Sequence, residues 1–356
     1  MKKIACILFT AFLLCAFSAP SSFTRKDAAK AYAAFNQYFY SDVDQLYYAN
    51  TERKNIGAIW TQAIYWDMAM NVYQRTHAAA DRKRVRDIFE GGYRRYDQYN
   101  WNNTNEWFIY DDIMWWVISL ARAHQLMGDK DYLPLAVAGF RRVWEGAYDS
   151  VDGGMFWDFK HSGKNACINF PTVIAAMTLY QATGDTSYLQ RARAVYHWGA
   201  EHLFDTAIGR VADNYVNGRK GWSDYTYNQG TFIGAAVMLY KATGVAGYLQ
   251  QANLAATYTQ QNMGAYKGIL PAEGDWNEQG VLKAIFGQYM MQLITDAKQT
   301  QFLPWVRQNI NTAWNNRDPQ RNLTFRNYAI PCVTGVLQSY EASSAVYLMQ
   351  ICPPEK

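Results

Sequence analysis

The chain has 356 residues, a formal net charge of +4 and 16% aromatic residues. So small a net charge supplies no basic field for nucleic acid, and a neutral or weakly charged ligand fits it better. The five cysteines show no CxxC or Cys/His spacing, so neither a disulfide framework nor a zinc site is expected, and no other cofactor is implied.

The first stretch, "MKKIACILFTAFLLCAFSAP", has two lysines, an apolar run and then small residues, the pattern of a secretory signal peptide. Cleavage after Ser18, with Ala16 and Ser18 at the two small positions, leaves residues 19–356 and lowers the charge to +2. Cys15 follows Leu14 rather than a small residue, which argues against a lipid anchor. The mature chain is therefore expected to be secreted, periplasmic or at the cell surface. Its remaining cysteines, Cys167, Cys332 and Cys352, allow one disulfide. No later apolar run reaches the roughly 20 residues that span a bilayer. No Pro/Gly/Ser-rich linker divides residues 19–356, so one large domain and a monomer are expected.

From about Arg25 to Tyr38 runs a first amphipathic segment, which can pair with a last one from about Tyr328 to Met349. Between them a motif repeats. "LARAHQLMGDKDYLPLAVAGF", "MTLYQATGDTSYLQRARAVYH" and "VMLYKATGVAGYLQQANLAAT" each hold an apolar helical run, a glycine stop, a short polar turn and a second amphipathic run. Their glycines, Gly128, Gly184 and Gly244, are 56 and 60 residues apart. Weaker copies place further turns near Thr76 and Asp296. Six helical hairpins account for nearly the whole chain. In each pair the first run is apolar nearly all round and the second has one wet face, as in "YLQRARAVYHWGAEHLF". That contrast predicts an all-α closed toroid, an inner ring of six helices wrapped by an outer ring.

The segments leading into the inner helices would gather at one end of the central cavity. They are rich in Trp, Tyr, Asn, Gln and acidic groups: "ERKNIGAIW", "WNNTNEWFIYDD", "FKHSGKNACINF", "GWSDYTYNQG", "LPAEGDWNEQG" and "RNLTFRNYAI". Flat aromatic faces beside planar hydrogen-bonding groups suit a sugar, which offers C–H faces to stack and hydroxyls to satisfy. The cavity mouth therefore reads as a carbohydrate cleft.

Within it, Asp111 and Asp112 stand side by side in "NEWFIYDDIMWW". One acidic residue at a helix N-terminus needs no active site, since the macrodipole favours it by about 0.3 to 1 kcal/mol. Two among Trp107, Phe108, Tyr110, Trp115 and Trp116 leave little water to screen their repulsion. Glycoside hydrolysis with retention uses two carboxyls about 5 to 5.5 Å apart, one as nucleophile and one as acid/base. Sequence neighbours on a helix start about 3.8 Å apart and diverge by about 100°, so both can flank one glycosidic bond. Apolar surroundings and mutual repulsion would raise the proton affinity of one while the other stays ionised.

Trp107 and Tyr110 are expected to contact sugar beside the pair. Asp67, in "AIYWDMAMNVY", falls beside the apolar stripe of an inner helix and reads either as a sugar contact or as a satisfied structural carboxylate. Asp213 and Asn214 lie in a loop expected to reach over the cleft, with Tyr225, Tyr227 and Gln229 following as stacking and hydrogen-bonding groups; the group reads either as substrate contacts or as loop packing. Glu273, Asp275, Trp276 and Gln279 form a second acidic cluster, read as substrate contacts or as turn residues, and Glu278 as the start of an inner helix. His124, His197 and His202 lack ligand spacing and are expected to be structural.

At these residues the chain resembles glycoside hydrolase family 76, the bacterial and fungal endo-α-1,6-mannanases. The resemblance rests on "NEWFIYDDIMWW", on "YTYNQGTFIGAAVMLYKATG" and on "GILPAEGDWNEQGVLKAIFGQYM", and extends over essentially the whole mature chain. It implies an (α/α)6 barrel, retaining double displacement on α-mannan without a metal, Asp111 as nucleophile and Asp112 as acid/base. Residue patterns alone leave open which aspartate has which role. The alternatives are a cell-wall mannan transglycosidase, a sugar epimerase or uronyl hydrolase on the same toroid, and a glycan-binding protein that has lost the chemistry.

Overall fold

A computed structural model describes residues 22–264, 268–274 and 276–355. The expected signal peptide and Asp275 lie outside them. Among the described residues, twelve α-helices pair into six hairpins. These are α2 (Ile59–Thr76) with α3 (Ala79–Arg95), α4 (Tyr110–Met127) with α5 (Tyr132–Ala147), and α6 (Ala166–Thr183) with α7 (Thr186–His202). Then come α8 (Thr226–Thr243) with α9 (Ala246–Tyr258), α10 (Leu282–Thr295) with α11 (Leu303–Asn315), and α1 (Arg25–Phe39) with α12 (Ser339–Ile351).

Helices α2, α4, α6, α8, α10 and α12 each touch the next, and α12 returns to α2, which closes the inner ring of an (α/α)6 barrel. The expected contrast in burial holds. Every residue of α6 from Ala166 to Leu179 is buried, whereas α7 buries Tyr188, Ala192, Val195, Tyr196, Trp198 and Gly199 along one stripe. At Gly199 a side chain would meet the Phe170 ring at 2.7 Å, so only glycine lets α7 approach α6 this closely.

The repeat glycines do what the sequence required of them. Gly128, Gly184 and Gly244 take left-handed conformations (φ 69°, 75° and 72°), and each N–H caps the carbonyl four residues back. The final helix begins later than expected, at Ser339 rather than near Tyr328. Pro331 lacks the N–H a helix needs, and the helix starts where the Glu341 carboxylate accepts the Gln338 N–H at 3.2 Å. A small antiparallel sheet, not foreseen, joins β1 (Lys164–Asn165), β2 (Asn214–Val216) and β3 (Arg219–Gly221) across the mouth, the last two linked by the left-handed pair Asn217-Gly218.

Cys167, Cys332 and Cys352 are buried free thiols, so the allowed disulfide does not form. No helix among the described residues is long and apolar enough to cross a membrane.

Candidate active site

The inner helices all start at the same end of the ring, and the first turns of five of them enclose a cleft of about 560 Å³. Helix α2 supplies Ala58, Ile59 and Trp60; α4 supplies Asp111, Asp112 and Trp115; α6 supplies Asn165 and Cys167; α8 supplies Tyr225 and Tyr227; and the approach to α10 supplies Trp276, Asn277, Glu278, Gln279 and Leu282. Converging N-termini bring positive dipole ends to the floor, which favours carboxylates there.

Asp111 and Asp112 occupy the first turn of α4, and both line the cleft. Their surroundings differ. The Trp157 indole donates to Asp111 Oδ2 at 3.1 Å, while Oδ1 is buried without a hydrogen-bond partner. Burial pushes the Asp111 carboxyl up to about 6, against the pull of the Trp157 N–H, the Cys167 thiol and the backbone amides of the helix start. Cys167 is held well above the ordinary thiol range by burial and by Asp111 and Asp213, so it presents a neutral S–H. Asp112 is buried, and burial together with the neighbouring Asp111 and Glu278 carboxylates holds it well above the ordinary carboxylate range. One aspartate thus has an indole donor and the other faces negative charge, an arrangement that pulls their proton affinities apart.

Asp213 also lines the cleft, accepting from Asn228 Nδ2 at 3.0 Å and Asn214 Nδ2 at 3.2 Å, and burial raises its proton affinity. Tyr225 and Tyr227 meet edge to face at 6.1 Å on the same wall. Trp276 lines the cleft and is 64% exposed. The structure therefore brings Asp213, Tyr225, Tyr227 and Trp276 to the same cleft as the aspartate pair. Gln279 reaches the cleft as well, but its Oε1 is occupied by the Gly274 N–H at 2.7 Å. Asn214 begins β2 and serves Asp213 rather than lining the cleft.

Other expected contacts do not reach it. Trp107 is fully buried among Tyr96, Tyr99, Trp101 and Trp116, and Tyr110 is buried against Phe159. The ring on that segment that does face the cleft is Phe108, 54% exposed. Asp67 lies a turn below the cleft floor, paired with Arg122 Nη1 at 3.1 Å, so its structural reading is the one the geometry favours. Gln229 is buried and fully used: Oε1 accepts from Val211 N at 2.6 Å, and Nε2 donates to Gly209 O, Ala255 O and Thr259 Oγ1. Glu273 accepts from the Thr226 N–H and hydroxyl, both at 2.8 Å, and pairs with the buried Lys283 at 3.3 Å. His124, His197 and His202 bond to Asp129 O, Tyr248 Oη and Trp198 O, away from the cleft.

The sequence reading assigned no site role to Trp60, Trp157, Cys167 or Glu278. All four fall within or beside the helix-leading segments, which was the one signal available. Glu278 was taken for a helix start.

A helical toroid whose mouth holds paired carboxylates among aromatic planes has the makings of a carbohydrate-active (α/α)6 enzyme. The family model described as glycosyl hydrolase family 76 matches residues 24–351, and the chain belongs to that family of glycoside hydrolases. No curated protein matches it significantly. The α-1,6-mannanase of Salegentibacter sp. HEL1_6 is 27% identical with a TM-score of 0.83, over 92% of this chain and 98% of that one. An inactive variant of that enzyme, with two adjacent aspartates replaced by alanine, was solved in complex with α-1,6-mannotetrose. Two more distant structures share the fold. A family 76 mannosidase of Bacteroides thetaiotaomicron has 18% identity and a TM-score of 0.78, over 92% of this chain and 96% of that one. Dfg5 of Chaetomium thermophilum has 14% identity and a TM-score of 0.74, over 92% and 88%.

Proposed function

We propose that the protein is a retaining endo-α-1,6-mannanase in which Asp111 is the nucleophile and Asp112 the acid/base. The observation that carries this reading is the unequal environment of two adjacent cleft aspartates, one bonded by the Trp157 N–H and the other facing two carboxylates. The similar Salegentibacter mannanase, inactive without an adjacent aspartate pair, supports it.

In the first step Asp111 attacks the anomeric carbon while Asp112 gives its proton to the departing glycosidic oxygen, leaving a mannosyl ester on Asp111. Asp112, now a carboxylate, then takes a proton from water as that water attacks the same carbon and frees Asp111. Two inversions give net retention. Esterification also removes the Asp111 charge, which lowers the proton affinity of Asp112 for its second role. Trp60, Phe108, Tyr225 and Trp276 offer stacking faces for mannose units on either side of the bond. We take residues 1–18 as a leader removed on export and residues 19–356 as a single secreted, monomeric domain.

The test is incubation of the purified protein with unbranched α-1,6-mannan, following product size and anomeric configuration. A ladder of short oligosaccharides released first as α-anomers is expected, and Asp111→Asn and Asp112→Asn should each lower turnover by about 10³-fold or more with the fold intact. Near-native turnover in both variants would refute the assignment. Products longer than the starting oligosaccharide would identify a sugar hydroxyl, rather than water, as the acceptor.

A further inference from the structure

Four carboxylates line the cleft, from Asp111, Asp112, Asp213 and Glu278, and no arginine, lysine or histidine lines it among the described residues. Three of the four have explicit donors. Asp111 has the Trp157 indole, Asp213 has two amides, and Glu278 Oε2 accepts from Trp60 Nε1 at 3.2 Å. That last bond joins residues 218 apart in the chain, and it draws Glu278 toward α4, because Trp60 lies against Trp115, a turn below the aspartates, at 6.5 Å.

Glu278 is held there at a backbone cost. It has φ 53° and Asn277 has φ 51°, two successive non-glycine residues in the left-handed region. Such conformations cost about 1 kcal/mol or more each and persist where surrounding contacts over-determine them. Ordinary helix initiation does not explain the placement, since a 3-10 turn at Gln279–Val281 already leads into α10 and Glu278 gives its carboxylate to Trp60 rather than to a backbone amide of that turn. The groups facing Asp112 are Asp111 on its own helix, Glu278 from the segment before α10, and the neutral Tyr96 phenol from the turn after α3. Burial and the ionised Asp111 act on Asp112 first, and Glu278 is the further charge that persists when Asp111 is esterified.

We propose that Glu278 is a positioning residue for the acid/base: its carboxylate, fixed on the cleft wall by the Trp60 indole, adds its negative charge to that of Asp111 around the acid. The inference rests on the proposed role of Asp112 as acid. It also accounts for the second half of the cycle. Once Asp111 is esterified, Glu278 is the remaining charge that keeps Asp112 basic enough to deprotonate water.

Glu278→Gln tests this cleanly, because its amide oxygen can still accept the Trp60 N–H and the charge alone is lost. The pH dependence of kcat/KM on α-1,6-mannan should show its basic limb about one pH unit lower than in the wild type. The sign follows from the acid: with less negative charge beside it, Asp112 loses its proton at lower pH. Glu278→Asp, which keeps the charge, should leave the limb near its wild-type position, and thermal melts of both variants report on folding. A carboxyl ¹³C titration of Asp112, assigned by its absence in Asp112→Asn, reads the same shift without substrate. If mannan is not cleaved by the wild type, the mannanase reading fails while the titration still decides this one. Superimposable Asp112 titrations in wild type and Glu278→Gln would overturn it.

Discussion

Replacing Trp157 by Phe removes one N–H and keeps most of the ring. In the structure that N–H lies 3.1 Å from Asp111 Oδ2, the one described side-chain nitrogen bonded to the carboxylate. Asp111 already sits at about 6 because burial outweighs its donors, so losing a donor moves it further up. A hydrogen bond to a charged acceptor contributes about 1.5 to 3 kcal/mol, and a unit of pKa corresponds to about 1.4 kcal/mol. Water from the open cleft can replace part of the bond, so the lower end applies, about one pH unit. A nucleophile acts ionised, so the acid limb of kcat/KM should move about one unit toward higher pH while the basic limb stays. Well below the limb the variant should be about tenfold slower than the wild type, with the difference falling to about twofold at neutrality and closing about one unit above it. The measurement is kcat/KM on an α-1,6-mannooligosaccharide across the pH range, with near-ultraviolet circular dichroism as a check on packing. A uniform loss at every pH, with the acid limb unmoved, would refute the claim that Trp157 sets the ionisation of Asp111.

Two further outcomes follow from the buried charges. The folded state holds a proton on Asp112 that the unfolded chain gives up at the ordinary value of 3.8, so this group's contribution to stability is complete below that value and is lost as pH rises toward the folded one. Asp112→Asn should therefore melt a few degrees above the wild type at pH 7, by a smaller margin at pH 4, as calorimetry would show; an equal or reversed margin would contradict the burial argument. Arg122 donates to the Asp67 carbonyl at 3.2 Å and to Asn71, besides pairing with the Asp67 carboxylate, which burial otherwise disfavours. Arg122→Met leaves that charge unpaired at the barrel axis and should cost about 3 to 5 kcal/mol in urea unfolding, with Asp67→Asn in the same chain restoring part of the loss.

The acid pair was legible because its signal is local: two carboxylates in succession inside an aromatic run need nothing else to be conspicuous. The aromatic contacts were not. Trp107, Phe108 and Tyr110 stand within four positions of one another, yet Phe108 alone faces the cleft, because the chain there turns into α4 and successive side chains point in different directions. Gln229 and Glu273 looked like sugar ligands by type. Each has its polar atoms occupied by groups 10 to 47 residues away, a satisfaction that no local pattern displays.

By itself the sequence determined the hairpin count, the turn glycines, the division into inner and outer helices and the adjacent pair of aspartates. All of these depend on periodicities, caps and neighbours within a few residues, where backbone geometry is fixed by local sterics and hydrogen bonds. Tertiary structure alone decided which rings and carboxylates share the cleft. It brought Trp157 to Asp111 across 46 residues and Trp60 to Glu278 across 218. Those contacts arise from closing the ring, which places the starts of distant helices side by side, and it is they that give the two adjacent aspartates unequal surroundings.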